Sequence, residues 1–275
     1  MFRFLVALCL LTLSAHAADF ERTLTVAGNP DLYVSTGSGH IHVFTGADNT
    51  VHIKAHVYAG WNAGGDIDQR IQRIAENPPI QQADNAIHLG EVSPQDRYLY
   101  NNVTVDYEIA TPRSVALNAR SGSGDINVDN VGRFLKAQTG SGAIRIHGVA
   151  GPAELRTGSG DIELEQQATG DVRAATGSGS IRLVGLSGGL TARTGSGDID
   201  ATGNLSGAAH LQSGSGSIHV HVGRDAHLNV DATTGSGSIR VTGVSNSDHH
   251  HLSAPINGGG AAVDIHTGSG DIEVD

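Results

Sequence analysis

The chain has 275 residues, a formal net charge of −11, 38 glycines and a single cysteine. An acidic chain is a poor nonspecific partner for nucleic acid or anionic membranes, and one cysteine excludes a disulfide-stapled scaffold. Beyond the N-terminal leader no apolar stretch is long enough to span a bilayer, so no membrane insertion is expected.

The opening residues MFRFLVALCLLTLSAHA join one positive charge, Arg3, to an apolar run and a small-x-small end at Ala15-His16-Ala17. This is the pattern of a secretory signal peptide, predicted to cover residues 1–17 and to be cleaved after Ala17. Export would remove Arg3 and leave a chain of charge −12 that begins at Ala18. Cys9 lies within the leader, and Leu8 before it is too large for the small residue expected ahead of a lipid-modified cysteine. The mature protein is therefore expected to be periplasmic, cell-surface or secreted, with no thiol, disulfide or lipid anchor.

An opening strand leads to Thr36-Gly37-Ser38-Gly39, followed by one variable residue and Ile41. The pattern is then interrupted over residues 59–102. Within this insertion Ile67, Ile71 and Ile74 follow helical spacing and Pro78-Pro79 stops the run, which predicts a short amphipathic helix near Asp66 to Glu76. A weaker hairpin is expected around Ala83-Asp84-Asn85, with Ile80 on one arm and Ile87-His88-Leu89 on the other. Val103, Val105, Tyr107 and Ile109 then make a strand that re-enters before Pro112. Trp61, Tyr98, Tyr100 and Tyr107 gather most of the large aromatics at this end, which reads as a cap over the open edge of a repeat stack or as a binding platform.

From Ser121 onward the (T/S)-G-S-G-x-Ile motif recurs eight times, at Ile126, Ile144, Ile162, Ile181, Ile199, Ile218, Ile239 and Ile272. From Ile126 to Ile218 the steps are 18, 18, 19, 18 and 19 residues, widening to 21 and 33 before the last two copies. A fixed period near 20 marks a stacked repeat. Apolar residues alternate around each motif, as in Ala153 and Leu155 before it and Ile162 and Leu164 after it, so each copy holds two strands with one buried face. The glycines are read as supplying positive φ at the corner. Inward positions before it are often alanine (Ala119, Ala137, Ala174, Ala192, Ala232), which implies a thin core. The fold class is all-β: a β-solenoid of two-strand rungs over residues 18–275, a single repeat domain with residues 59–102 as its helix-containing insertion.

The residue after each Ile runs Asn127, Arg145, Glu163, Arg182, Asp200, His219, Arg240, Glu273. Opposite charges become neighbours along most of this column if copies stack in chain order. The C-terminal strand, Asp271 to Asp275, then becomes an edge covered only by its acidic residues. At the corner itself Asp125, Asp161, Asp198 and Asp271 each follow a basic residue five places earlier (Arg120, Arg156, Arg193, His266), whereas corners without Asp have none there. This predicts an exposed ion pair across each such corner.

The leader, the early GSG strand, the helix-bearing insertion, the lead-in Val105 to Pro112 and the serial GSG-D-I strands resemble the bacterial exported β-strand-repeat family of unknown function catalogued provisionally as adhesins. The likeness covers essentially residues 20–275. It implies a β-solenoid and a cell-envelope location, and it supplies no catalytic residues.

Three sets of residues invite a metal reading: Asp248-His249-His250-His251, His219-x-His221 and His40-x-His42. Imidazole suits zinc, nickel or copper, but a closed site needs three or four convergent ligands. Calcium held by corner aspartates, as in glycine-rich β-rolls, conflicts with the spacing and with the half of the corners that lack Asp. The GSG serines have no paired histidine base, and the outward column alternates in sign where a glycosidase would cluster carboxylates. No catalytic, cofactor or metal residue is assigned, and no cofactor is expected. The reading is a non-enzymatic, adhesin-like envelope module whose partner is a cell-surface protein or polysaccharide. The alternative is a carbohydrate-active or metal-binding periplasmic solenoid.

Overall fold

The computed structural model describes residues 17–61, 64–244 and 250–275. The predicted leader up to His16, and Asp248 and His249 of the histidine loop, lie outside the described residues.

Period-two alternation places one face of every strand inward, and the corners fold each copy into a rung of two strands. Strands that lead into the corners, such as Ala153–Thr157, form one twelve-stranded sheet; strands that leave them, such as Ile162–Gln166, form the other. We call these the entry sheet and the exit sheet. All nine motifs contribute one strand to each. Neighbouring rungs pair in parallel and in register, so that Ile144 lies beside Ile162 and Ile162 beside Ile181, and Ala137, Leu155, Ala174 and Ala192 form one column. The expected inward alanines are buried, and the core between the sheets is a thin aliphatic layer. Twelve strands at about 4.8 Å make each sheet on the order of 50 Å long.

The N-terminal end is closed by antiparallel pairing. The strand Val103–Thr111 lies between Ile41–Thr45 and Thr50–Ala59, and Ala17–Thr25 forms the outer edge of the exit sheet. The helix α1 (Ile67–Glu76) covers this end with Ile67, Ile71 and Ile74 buried. Arg70 fixes its approach by donating to the carbonyls of Tyr98 (3.1 Å) and Asn101 (2.8 Å). The expected hairpin forms at Ile80–Ala83 and Ala86–Leu89, with Asp84 at φ 51° in its turn. Because the insertion leaves and returns at the same end, Ile41 still stacks on Ile126.

Two expectations are corrected here. The rungs do not stack in chain order throughout: Ala261–Thr267 and Ile272–Val274 insert between the rungs of Ile218 and Ile239. The chain leaves Val241, adds His251–Ile256 antiparallel to Leu228–Thr234 at the edge, and returns on the other side. The C-terminal strand is therefore internal, and Ile239–Val241 is the exit-sheet edge at this end. In true order the outward column ends Asp200, His219, Glu273, Arg240, which alternates in sign where chain order would set His219 beside Arg240.

The second correction concerns glycine. The GSG glycines of residues 122 to 216 are not at positive φ. They are required by close stacking: a Cβ on Gly160 would lie 1.9 Å from the carbonyl oxygen of Gly142, and one on Gly158 2.3 Å from that of Gly140. Positive φ appears instead at bulges within the exit strands, as at Gly148 (78°) and Gly185 (75°), where the register shifts.

Candidate functional site

The corners are the most regular feature of the surface and its neighbourhood, and they have two sides. Facing inward, the Ser or Thr that opens each motif bridges two rungs. Thr157 Oγ1 donates to the carbonyl of Gly142 (2.8 Å) and accepts the N–H of Gly160 (3.2 Å). Thr139, Thr194 and Ser213 do the same at their corners. These hydroxyl-bearing residues are buried. Sequence reasoning recorded the T/S preference without giving it a role; its restriction to two hydroxyl residues was the available signal.

Facing outward, the predicted ion pairs across the corner do not form. Arg156 pairs with Glu154 (3.0 Å), its neighbour two places back on the entry sheet. Asp161 instead accepts the N–H of Ser180, one rung on (2.8 Å). Asp125 accepts from Ala143 (2.8 Å), Asp198 from Ser217 (2.8 Å), and Asp271 from Ser238 (2.8 Å). The basic residue belongs to the outer face of the entry sheet, whereas the Asp opens the exit sheet, so the turn separates them. Where serine occupies the corner it also accepts: Asp271 donates its N–H to Ser217 Oγ (3.2 Å). His40 Nδ1 accepts from Asp125 N–H (3.1 Å), and Asp106 accepts from His40 N–H (2.7 Å). The alternation of Asp with a neutral residue persists across the inserted C-terminal rung.

These bonds act on ionisation. Burial raises the Asp125 carboxyl, but the N–H of Ala143 and the Arg145 guanidinium (3.1 Å) outweigh it and hold the group below the usual range. The N–H and then the hydroxyl of Ser238 hold Asp271 low. The Lys136 ammonium at 3.0 Å does so for Glu154.

The histidine sets are distributed among separate carboxylates. His42 Nε2 meets Asp129 (2.7 Å), His219 Nδ1 meets Asp200 (3.1 Å), and His221 meets Asp275. His251 Nδ1 lies beside Thr233 Oγ1 (3.2 Å). An open groove of about 640 Å³ lies over the N-terminal end of the exit sheet and includes His40, His42, His56, Asp106 and Glu108. Its ring nitrogens point to different partners, His56 to Asp19 at 2.5 Å. Among the described residues no three His, Cys, Asp or Glu side chains are grouped to hold a metal ion. The aromatics of the N-terminal end do not share one face: Tyr107 is buried against Phe20 (ring centroids 6.4 Å), whereas Trp61 and Tyr98 are exposed.

Parallel rungs with GSG corners, capped by an antiparallel end and one helix, define a repeat solenoid of the Toastrack type. Residues 21–275 match the family model Toastrack DUF4097, and the chain belongs to that family, whose function is unknown. No curated protein matches. Similar solved structures include the following two. One is a protein of Clostridium sporogenes ATCC 15579 provisionally described as a cell adhesion protein, with 13% identity, 94% of this chain and 99% of that chain covered, and a TM-score of 0.26. The other is a provisional adhesin of Bacteroides fragilis NCTC 9343, with 14% identity, 94% and 97% covered, and a TM-score of 0.48.

Proposed function

We propose that the protein is an exported interaction module of the cell envelope, adhesin-like in role and without catalytic activity. The observation that carries this reading is the division of the outward polar side chains among separate rungs. The serines, histidines and carboxylates that catalysis would need to converge are engaged with backbone groups or with one carboxylate each. Nucleophilic and acid–base catalysis both require a base within reach of the group it activates. A long, ribbed surface suits association with an extended partner. The charged leader and Ala15-His16-Ala17 support export, and no described helix is long and apolar enough to cross a membrane.

The test uses the chain from Ala18 onward. It is expected to be retained on envelope extracts of its host and to release no product from envelope or plant polysaccharides. Product release above that of a heat-denatured sample would overturn the non-enzymatic reading. Failure to be retained on any envelope fraction would overturn the interaction reading.

A further inference from the structure

The two outer faces treat charge differently. On the exit sheet, cations and carboxylates alternate from rung to rung through Arg145, Glu163, Arg182, Asp200, His219, Glu273 and Arg240. The entry sheet carries Arg120, Lys136, Arg156, Arg173 and Arg193 on five successive rungs. Glu154 is the one carboxylate on the outer face of these five strands, shared by Lys136 and Arg156 at 3.0 Å each; Glu91 shares a hollow with Arg120 at one end, and Asp231 and Asp264 share one with Arg193 at the other. Arg120, Arg173 and Arg193 are exposed and make no ion pair among the described residues. In a protein of net charge −11 this is a local reversal of sign.

The cations also follow a geometric rule. Arg120, Arg156 and Arg193 occupy one register row, and Lys136 and Arg173 the row two residues earlier, so the five describe a zigzag with one cation per rung. Direct cross-strand like-charge neighbours are thereby avoided; successive cations are diagonal, about 7–8 Å apart. From Arg120 to Arg193 the file runs about 19 Å along the stack at a strand spacing of about 4.8 Å. The alternate positions are mostly neutral hydrogen-bonding residues: Asn118, Gln138 and Thr191. One rung beyond Arg120 stands Tyr33, partly exposed and stacked on His88 with ring centroids 4.5 Å apart.

We infer that this face of the entry sheet binds a linear carboxylated polysaccharide laid along the solenoid axis. The inference rests on the interaction-module reading and deepens it. A polyuronate carries one carboxylate per sugar, and a pyranose unit is comparable in length to one rung, so a single chain can meet a cation at each rung. Its hydroxyls face the neutral amides and the threonine between them, and the aromatic at the end offers a stacking surface for a sugar ring. A single nucleic-acid strand calls for aromatics interleaved along the groove on which successive bases stack; among the described residues this face offers Phe134 beside Lys136 and Tyr33 beyond the end of the file. A broad anionic bilayer would also meet the protein's acidic regions. A narrow polymer samples only the stripe, within the roughly 8–10 Å over which charge acts at moderate salt.

The experiment measures binding of polygalacturonate oligomers to the chain from Ala18 onward. The expected result is saturable binding at low salt, weakened steeply by added salt and absent for the fully methyl-esterified polymer. The variant R120Q/R156Q/R193Q is expected to bind at least roughly tenfold more weakly, while R145Q/R182Q/R240Q on the exit sheet binds as the parent does. No binding of polygalacturonate at low salt would overturn the inference, as would equal loss in the two triple variants. Tighter binding to single-stranded DNA or to phosphatidylserine vesicles than to polygalacturonate would also overturn it. Retention on envelope extracts, measured in parallel, separates the two ideas. Retention with no polygalacturonate binding removes the polyuronate site and leaves the envelope role. Polyuronate binding without retention keeps the site and removes the role.

Discussion

The inner and outer sides of each corner lie a few ångströms apart and behave differently. Inside, the corners from Ser121 to Ser213 repeat one arrangement: a hydroxyl spans two glycines of successive rungs, and the glycine backbones stack too closely to admit a Cβ. Outside, His40, Asp125, Ala143, Asp161 and Ser180 occupy the same position on successive rungs. The inner contacts are shielded from water and have no substitute, so they are uniform. The outer ones compete with solvent, and several side chains can fill the place.

The comparison breaks most visibly at glycine. Gly160→Ala sets a Cβ against the Gly142 carbonyl and is expected to cost at least about 3 kcal/mol or to prevent folding. Gly37→Ala, with nothing within 4 Å of its Cβ, should stay within about 0.5 kcal/mol of the parent in a denaturant titration. Equal effects at the two positions would remove the stacking argument.

Next in size is the inner hydroxyl. Thr157→Val keeps the shape but leaves the Gly142 carbonyl and the Gly160 N–H without their partner, at a cost of about 1–3 kcal/mol. Thr157→Ser should cost much less, since Ser121 and Ser213 make the same bonds. If valine is as well tolerated as serine, the inner ladder contributes little.

On the outer side the effects shrink. A double-mutant cycle between Arg156 and Asp161 is expected to give a coupling below about 0.3 kcal/mol, because the two have different partners. A cycle between Arg156 and Glu154 should yield a few tenths of a kcal/mol that salt removes.

The smallest expected effect is a pH dependence. Asp271 is held below its usual value of 3.8 by Ser238, so its native carboxyl binds a proton less readily than the unfolded one. Its contribution is fully present above pH 3.8 and is lost as pH falls through the lower native value. Acid titration of stability should therefore be slightly flatter for Asp271→Asn than for the parent; identical curves would show that the exposed bond contributes nothing measurable.

Much of the rung was legible because its determinants are local. Ile162 and Leu164 alternate with Glu163 and Glu165, and the spacing of α1 is written in Ile67, Ile71 and Ile74. The partner of Asp161 was not legible by the same means. Arg156 is close in sequence, but the turn places it on the other sheet, while Ser180, nineteen residues away, lies one strand spacing off. The inserted C-terminal rung left a trace that can be read in retrospect. The Asp alternation and the outward charge column both fail between Ser217 and Ser238 in chain order, and both are restored when Asp271 and Glu273 come between.

The sequence by itself determined the rung: its period, its two strands, its inward aliphatic residues and its glycine corner, because alternation and spacing along one chain decide which face each side chain takes. Tertiary structure decided what one rung does for the next: the order of the last three rungs, the bonds of the corner aspartates, the reason for the glycines and the file of cations on the entry sheet. Those depend on residues about 4.8 Å apart across strands and 18 or more apart along the chain, a proximity that exists only once the rungs have stacked.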